Sequence, residues 1–308
     1  MNKADTYMYE AIDNILSHGY KDTNPRPKYT DGTPAHTFSV NHVVRKYDLS
    51  KGEFPICTLR PIAWKTGIKE LLWIYQDQSN DLNLLRDKYN VQYWNDWESK
   101  DMPNTIGKTY GYIVKRYDLI NNLIKDIQED PYGRRKVMSL WQESDLKETD
   151  GLAPCAFLTI WNVRNNKVTG KEYLDMCLIQ RSGDMLTASG AGCINEVQYA
   201  ALLMMIARHT GYEAGVFTHF VANEQIYDRH VEQAIEIGDR YRNGVGKVLT
   251  DYFKGDDEAY YSLCAEYSKI PNLILNPDKT NFFEMTIDDF EMVNYNPIKP
   301  QISLPLGI

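Results

Sequence analysis

The chain has 308 residues but few cysteines, and nothing in their spacing organises them. There are five, Cys57, Cys155, Cys177, Cys193 and Cys264, an odd number with no CxxC pair. Neither a disulfide framework nor a thiolate zinc site is indicated, and a reducing cytoplasm is the simplest compartment. A basic excess is lacking too: 34 Lys and Arg stand against 42 Asp and Glu, a net charge of −8. A general nucleic-acid binder needs basic surface to displace counterions, so no DNA partner is expected, although a local arginine cluster could hold one small anion. No apolar run approaches the ~18 residues of a membrane span. Residues 1–16 have neither the apolar stretch nor the small-residue cleavage site of a signal peptide. Repeats, low-complexity tracts, HExxH, GxGxxG and Walker loops are absent, so metal hydrolases, Rossmann dehydrogenases and kinases lose their support.

What is there is ordinary globular composition, 43% hydrophobic and 25% charged, long enough for a packed core. Apolar spacing predicts a helix over 5–18 with Gly19 beyond its end, and a buried helix over 66–76 that carries Glu70 on its inner face. Three prolines and an Asp-Gly make 23–36 a loop, followed by a strand over 37–44. A helix over 117–129 closes on Asp130-Pro131-Tyr132-Gly133, and strands are expected at 137–141, 156–163 and 173–180. Residues 194–209 are apolar on nearly all sides and end at Gly211, which marks a central buried helix; a more polar helix is expected over 224–240. Strands alternate with helices and no linker intervenes, so one α/β or α+β domain over 1–308 is expected.

Several residues invite chemistry. Cys155, behind Pro154, is either a small buried hydrophobe or a nucleophile, and a nucleophile needs a cation beside its thiolate. Arg181, in Gln180-Arg181-Ser182-Gly183-Asp184, and the pair Arg134-Arg135 are candidates. The pair is either a solvated surface feature or a phosphate fork, and Ser182 could add a hydroxyl to the same anion. Asp184 would share a side of a strand with Ser182 or close a turn. Glu70 must be paired or functional, because a buried carboxylate is costly. Asn195 either caps the apolar helix or reads a base edge with its donor and acceptor. Trp94 and Trp97 suit core packing or stacking on a flat heterocycle.

The order of these pieces along the chain is specific. Glu70-Leu71-Leu72-Trp73, Trp94-x-x-Trp97, Tyr110-Gly111, Arg134-Arg135, Leu152-Ala153-Pro154-Cys155, Gln180-Arg181-Ser182-x-Asp184, Asn195, Ile226-Tyr227 and a tail ending at Ile308 resemble the folate-dependent thymidylate synthase family from about residue 31 to the end. The resemblance implies a mixed twisted sheet flanked by helices and used for homodimer packing. It implies no metal, dUMP as substrate, and 5,10-methylenetetrahydrofolate as one-carbon donor and reductant. Cys155 would attack C6 of the pyrimidine; Arg181 would touch both sulfur and phosphate, with Gln180 and Ser182 beside it. Arg134 and Arg135 would cross the dimer interface to the partner's phosphate site. Glu70 and Tyr110 would belong to the catalytic group, with Glu70 organising water and proton movement. Asn195 would read the base and contribute to catalysis, and Tyr227 would contact the nucleotide. Trp94, Trp97 and Asp184 would line the folate cleft, and Ile308 would close over the ligands.

The pattern departs from the family around the nucleotide. Ala156 follows the nucleophile where histidine is common, and Gln225 replaces the ribose-contacting histidine. Gly32 stands where a phosphate-loop arginine is usual, with Arg26 as the substitute in the same loop. The segment 185–194 carries about three extra residues, Ser189-Gly190-Ala191. These changes leave room for a pyrimidine nucleotide hydroxymethylase acting on dUMP, dCMP or CMP, in which water completes the reaction. A non-catalytic nucleotide- or RNA-binding relative is the reading from another class.

Overall fold

Asn2 and Asp5 exchange hydrogen bonds of 3.0 Å each way, a capping box that starts α1 (Lys3–His18). Asp5 also accepts the Thr58 backbone N–H and hydroxyl at 2.6 Å, which ties the helix to the 54–63 segment. The computed structural model describes residues 2–253 and 270–304, the side chains of 245–253 excepted. After α1 come β1 (Tyr20–Lys21), β2 (Thr37–Asp48) and α2 (Trp64–Leu71), which runs into a π-helical turn, Leu72–Gln76. Then follow α3 (Leu82–Tyr89), α4 (Gly111–Arg116), α5 (Leu119–Glu129), β3 (Val137–Ser139), α6 (Glu143–Leu146), β4 (Ala156–Asn165), β5 (Glu172–Gln180) and β6 (Gly183–Asp184). A second π-helical turn, Met185–Ser189, leads to α7 (Ile194–Thr210), β7 (Glu213–Tyr227), α8 (Val231–Phe253) and the hairpin β8 (Asn272–Leu275) and β9 (Phe290–Val293).

The sheet has the order β1-β2-β7-β5-β4-β3, with β6 also on β7. β7 runs parallel to β5 and β6, and the other pairs are antiparallel, so the sheet is mixed and the architecture α/β. Strand alternation sends one set of side chains under α7: the row Arg45, His219, Leu178, Thr159 and the row Tyr47, Phe217, Met176, Trp161 are buried. The other set, Val44, Phe220, Ile179 and Leu158 with Cys177, Ile160 and Val137, is half-buried or exposed. α7 is apolar all round because it lies between this sheet and α2, and Gly211, at φ +83°, ends it in the left-handed conformation.

Four sequence expectations need correction. Residues 224–227 are the end of β7, and the helix expected from 224 starts at Val231. β7 carries apolar residues on both faces, and its pairing with β2 and β5 is non-local, so a local pattern did not reveal it. An apolar span of membrane length does exist: Met185–Thr210 contains an 18-residue window of mean hydropathy 1.2, and 83% of that window is buried in the core. The strand expected over 37–44 continues to Asp48, and the one expected to reach Trp141 stops at Ser139.

Candidate active site

Antiparallel pairing of Ala156 with Gln180 sets the site. It brings the residue before β4 against the residue after β5, and the Arg181 N–H donates to the Cys155 carbonyl at 2.9 Å. The Arg181 guanidinium then closes on the same loop, with Nε donating to Pro154 O at 3.0 Å and Nη2 to Ala153 O at 2.8 Å. Its Nη1 has no partner among the described residues and stays available to an anion. A β-bulge between Ala156 and Leu158 re-aims the start of the strand. From the other side, the Tyr110 hydroxyl accepts the Cys155 N–H at 3.3 Å. Tyr110 reaches it from a strained backbone, φ +46° and ψ −113°. Gly111 follows because a Cβ there would lie 2.0 Å from Ser79 O.

Burial pushes the Cys155 thiol above its ordinary value, and Arg181 and Arg26 oppose that shift. Within one chain, therefore, the arginines do not hold the sulfur ionised, because desolvation outweighs two cations. Arg26, the proposed substitute for the missing loop arginine, is within electrostatic range of Cys155 and of Tyr227. Gly32 turns the same loop at φ +83°. Arg134 and Arg135 are exposed just before the edge strand β3 and have no polar partner among the described residues.

Glu70 is 7% exposed on α2. Burial raises its pKa to about 7, against the influence of Trp94 and Gln198. Trp94 Nε1 nonetheless reaches no acceptor within hydrogen-bond geometry, and Gln198 Nε2 donates to Gly67 O at 3.0 Å. Thus no cation compensates the carboxyl. Trp94 is edge-on to Tyr110 at 5.2 Å and to Trp97 at 5.7 Å, so core packing and an aromatic wall coincide. Asp184 closes a turn, accepting the Leu186 N–H at 3.2 Å. Burial raises its pKa despite His230, whose Nδ1 is 4.0 Å away. Tyr227 is pushed up to about 12, mainly by burial. Gln225 lies on β7, paired with Ser39 and with Asp184. Ile308 falls outside the described residues.

Asn195 does not cap α7; Cys193 holds the cap position. The Asn195 amide instead donates to Gln180 Oε1 and Ser189 Oγ, both at 3.3 Å. Ser189, in the second π-helical turn, thus touches both amides of this pair, since Gln180 Nε2 also donates to its Oγ at 2.6 Å. Behind it lies a buried charge cluster that sequence reasoning missed. Arg45 donates from Nε to Glu196 and from Nη1 to Glu224, each at 2.6 Å, and from Nη2 to Ser189 O at 3.1 Å. Glu196 also accepts from Tyr47 and from the Gly192 N–H, both at 2.7 Å. Burial alone would raise Glu196, but Arg45, His219 and Gly192 outweigh it and hold the pKa at about 2. The available signal was a glutamate inside the most apolar helix of the chain, which requires a buried cation.

The thymidylate synthase family model matches residues 6–250. Thymidylate synthases of Streptococcus pneumoniae (strain 70585) and Streptococcus sanguinis (strain SK36) are 49% and 47% identical over 309 aligned residues, covering all of each chain. Among solved structures, the thermostable thymidylate synthase A from Bacillus subtilis superposes with a TM-score of 0.78 at 30% identity, covering 99% of both chains. Cys155 clamped by Arg181, the buried Glu70 and the Asn195 amide thus occur in a chain similar to these proteins from end to end, and the chain belongs to the thymidylate synthase family.

Proposed function

We propose that the protein methylates C5 of dUMP with 5,10-methylenetetrahydrofolate, giving dTMP and dihydrofolate, within one catalytic domain spanning 1–308. The observation that carries the reading is Cys155, seated beside Arg181 and Tyr110 at the start of β4 and linked through Gln180 to Asn195. Full-length identity to thymidylate synthases supports the methyl product over a hydroxymethyl one.

Cys155 adds to C6 of the pyrimidine, and C5 becomes the carbon nucleophile. The sulfur must first lose its proton against its burial. Arg26 and Arg181 favour the thiolate from this chain and, with Ser182, bind the phosphate. Asn195 meets the base edge, and Gln225 and Tyr227 line the nucleotide. Glu70, at about 7, can hold or release a proton at neutral pH and so serves the proton movements at the pyrimidine. Trp94, Trp97 and the half-buried Asp184 carboxyl fit a flat, polar-edged pterin. The folate supplies a one-carbon unit and then a hydride. Water exclusion matters because water would compete with that hydride, and Ile308 is assigned to closing the site.

A homodimer completes the cation set. The half-buried rows around Phe220, Ile179, Leu158 and Ile160 form an apolar sheet face, and Arg134 and Arg135 stand unpartnered beside it at the edge strand. Pairing two such faces would carry both arginines toward the second copy's phosphate. The four described cysteines are free thiols, which fits a cytoplasmic protein.

The test is release of the C5 hydrogen of dUMP to solvent, with dihydrofolate formation followed in parallel. Wild type releases hydrogen and accumulates dihydrofolate, and Cys155→Ser loses both by at least ~10³-fold. Hydroxymethylated nucleotide without dihydrofolate would replace the methylation reading. Undiminished hydrogen release by Cys155→Ser would remove the nucleophile.

A further inference from the structure

We propose that His219 is a positioning residue for uracil recognition: it donates Nε2–H to Gln180 Oε1 and thereby fixes the Gln180 amide and, through it, the Asn195 amide that meets the base. The inference rests on the reading of Asn195 given above and deepens it.

The proton direction follows from groups that can play only one role. Gln180 Nε2 lies 2.9 Å from the Ser182 carbonyl, which can only accept, and 2.6 Å from Ser189 Oγ. The amide nitrogen must therefore face Ser182, and Oε1 must face the other way. There it meets His219 Nε2 at 3.0 Å and Asn195 Nδ2 at 3.3 Å. An imidazole nitrogen facing a carbonyl oxygen has to carry a hydrogen. The ring cannot turn away: it is 0% exposed, stacked on Phe217 at 6.2 Å, and its Nδ1 lies 2.9 Å from Glu196 Oε1 and 3.3 Å from Arg45 Nη2.

Burial presses His219 toward neutrality, against Glu196. The Nε2 proton survives that pressure. A charged ring donates at both nitrogens, to Glu196 from Nδ1 and to Gln180 from Nε2; a neutral ring with its proton on Nε2 accepts from Arg45 at Nδ1 but sets a lone pair against Glu196 Oε1, so Glu196 favours the charged form. The chain of donors then runs one way. His219 donates to Gln180 Oε1, Asn195 Nδ2 donates to the same oxygen and to Ser189, and Asn195 Oδ1 is left as the acceptor. Uracil offers an N3–H to that acceptor. Cytosine offers an N3 lone pair, which would accept only a reversed amide.

The test compares equilibrium binding of dUMP and dCMP, without folate, to wild type and to His219→Leu, His219→Gln and Asn195→Ala. Loss of one neutral hydrogen bond predicts that His219→Leu narrows the dUMP:dCMP preference roughly five- to tenfold, with most of it restored in His219→Gln, whose amide can donate. An unchanged preference in His219→Leu, while Asn195→Ala collapses it, would overturn the inference and leave base reading intact. An unchanged preference in Asn195→Ala would remove base reading and the inference together. Wild-type protein labelled with 15N-histidine supplies a check independent of any variant's folding: the His219 Nε2 shift should be that of a protonated nitrogen, and an unprotonated Nε2 would refute the proposal.

Discussion

Glu70→Gln should stabilise the protein above neutral pH while it impairs turnover. Glu70 is buried, and no cation offsets it. Its pKa rises from 4.5 to about 7, so the folded chain binds this proton more tightly than the unfolded chain does. The associated stability is fully present below pH 4.5, declines as pH rises, and is gone once pH passes about 7. The shift corresponds to roughly 3 kcal/mol lost across that window. Glutamine keeps the shape and does not titrate, so the variant escapes this loss. Urea unfolding followed by tryptophan fluorescence, at equal protein concentration and at pH 5 and 8.5, should show the stability difference between variant and wild type moving by most of that amount in the variant's favour. Turnover by the variant should fall by about 10²-fold or more, because a proton-handling group is lost. Parallel stability curves across the pH range would refute the reasoning, since they would mean that Glu70 is not desolvated.

Arg45→Met should destabilise by about 3–5 kcal/mol in the same unfolding assay, because Glu196 and Glu224 remain buried without their cation; a loss below ~1 kcal/mol would contradict the pairing. Mixing inactive Cys155→Ser with inactive Arg134→Ala/Arg135→Ala under subunit exchange should restore activity at about a quarter of all sites, as expected if sites are shared in a twofold dimer. A mixture that stays inactive while heterodimers form would refute sharing. Gly192→Ala should cost at least ~2 kcal/mol, measured as a lower urea midpoint. Its φ is +66°, and a Cβ would lie 2.2 Å from Cys57 N.

Local sequence carried three helices well. The apolar periodicity of α1 and α5, the unbroken apolar run of α7 and the caps at Asn2 and Gly211 act within a few residues, and these elements lie close to their expected bounds. β7 was not legible, because its identity depends on partners some 40 and 180 residues distant in register. Among the candidate residues, Cys155, Arg181, Tyr110 and Arg26 are brought together by strand register and Coulomb range. Arg45, His219 and Glu224 were invisible because single charges on strands read as solvated. Only the three-dimensional parity of β2 and β7 turns them inward against Glu196.

The twist at Tyr110 bears on how this protein could be improved. Glycine at that position would relax the main chain, which stores about 1–3 kcal/mol. It would also delete the phenol that steadies the reactive loop, empty the space that the buried ring fills against Trp94, at about 3–5 kcal/mol, and loosen the unfolded chain. Endurance and turnover therefore pull the same way here: a laboratory lineage selected for survival at high temperature is expected to keep the tyrosine contorted, as is one selected for speed.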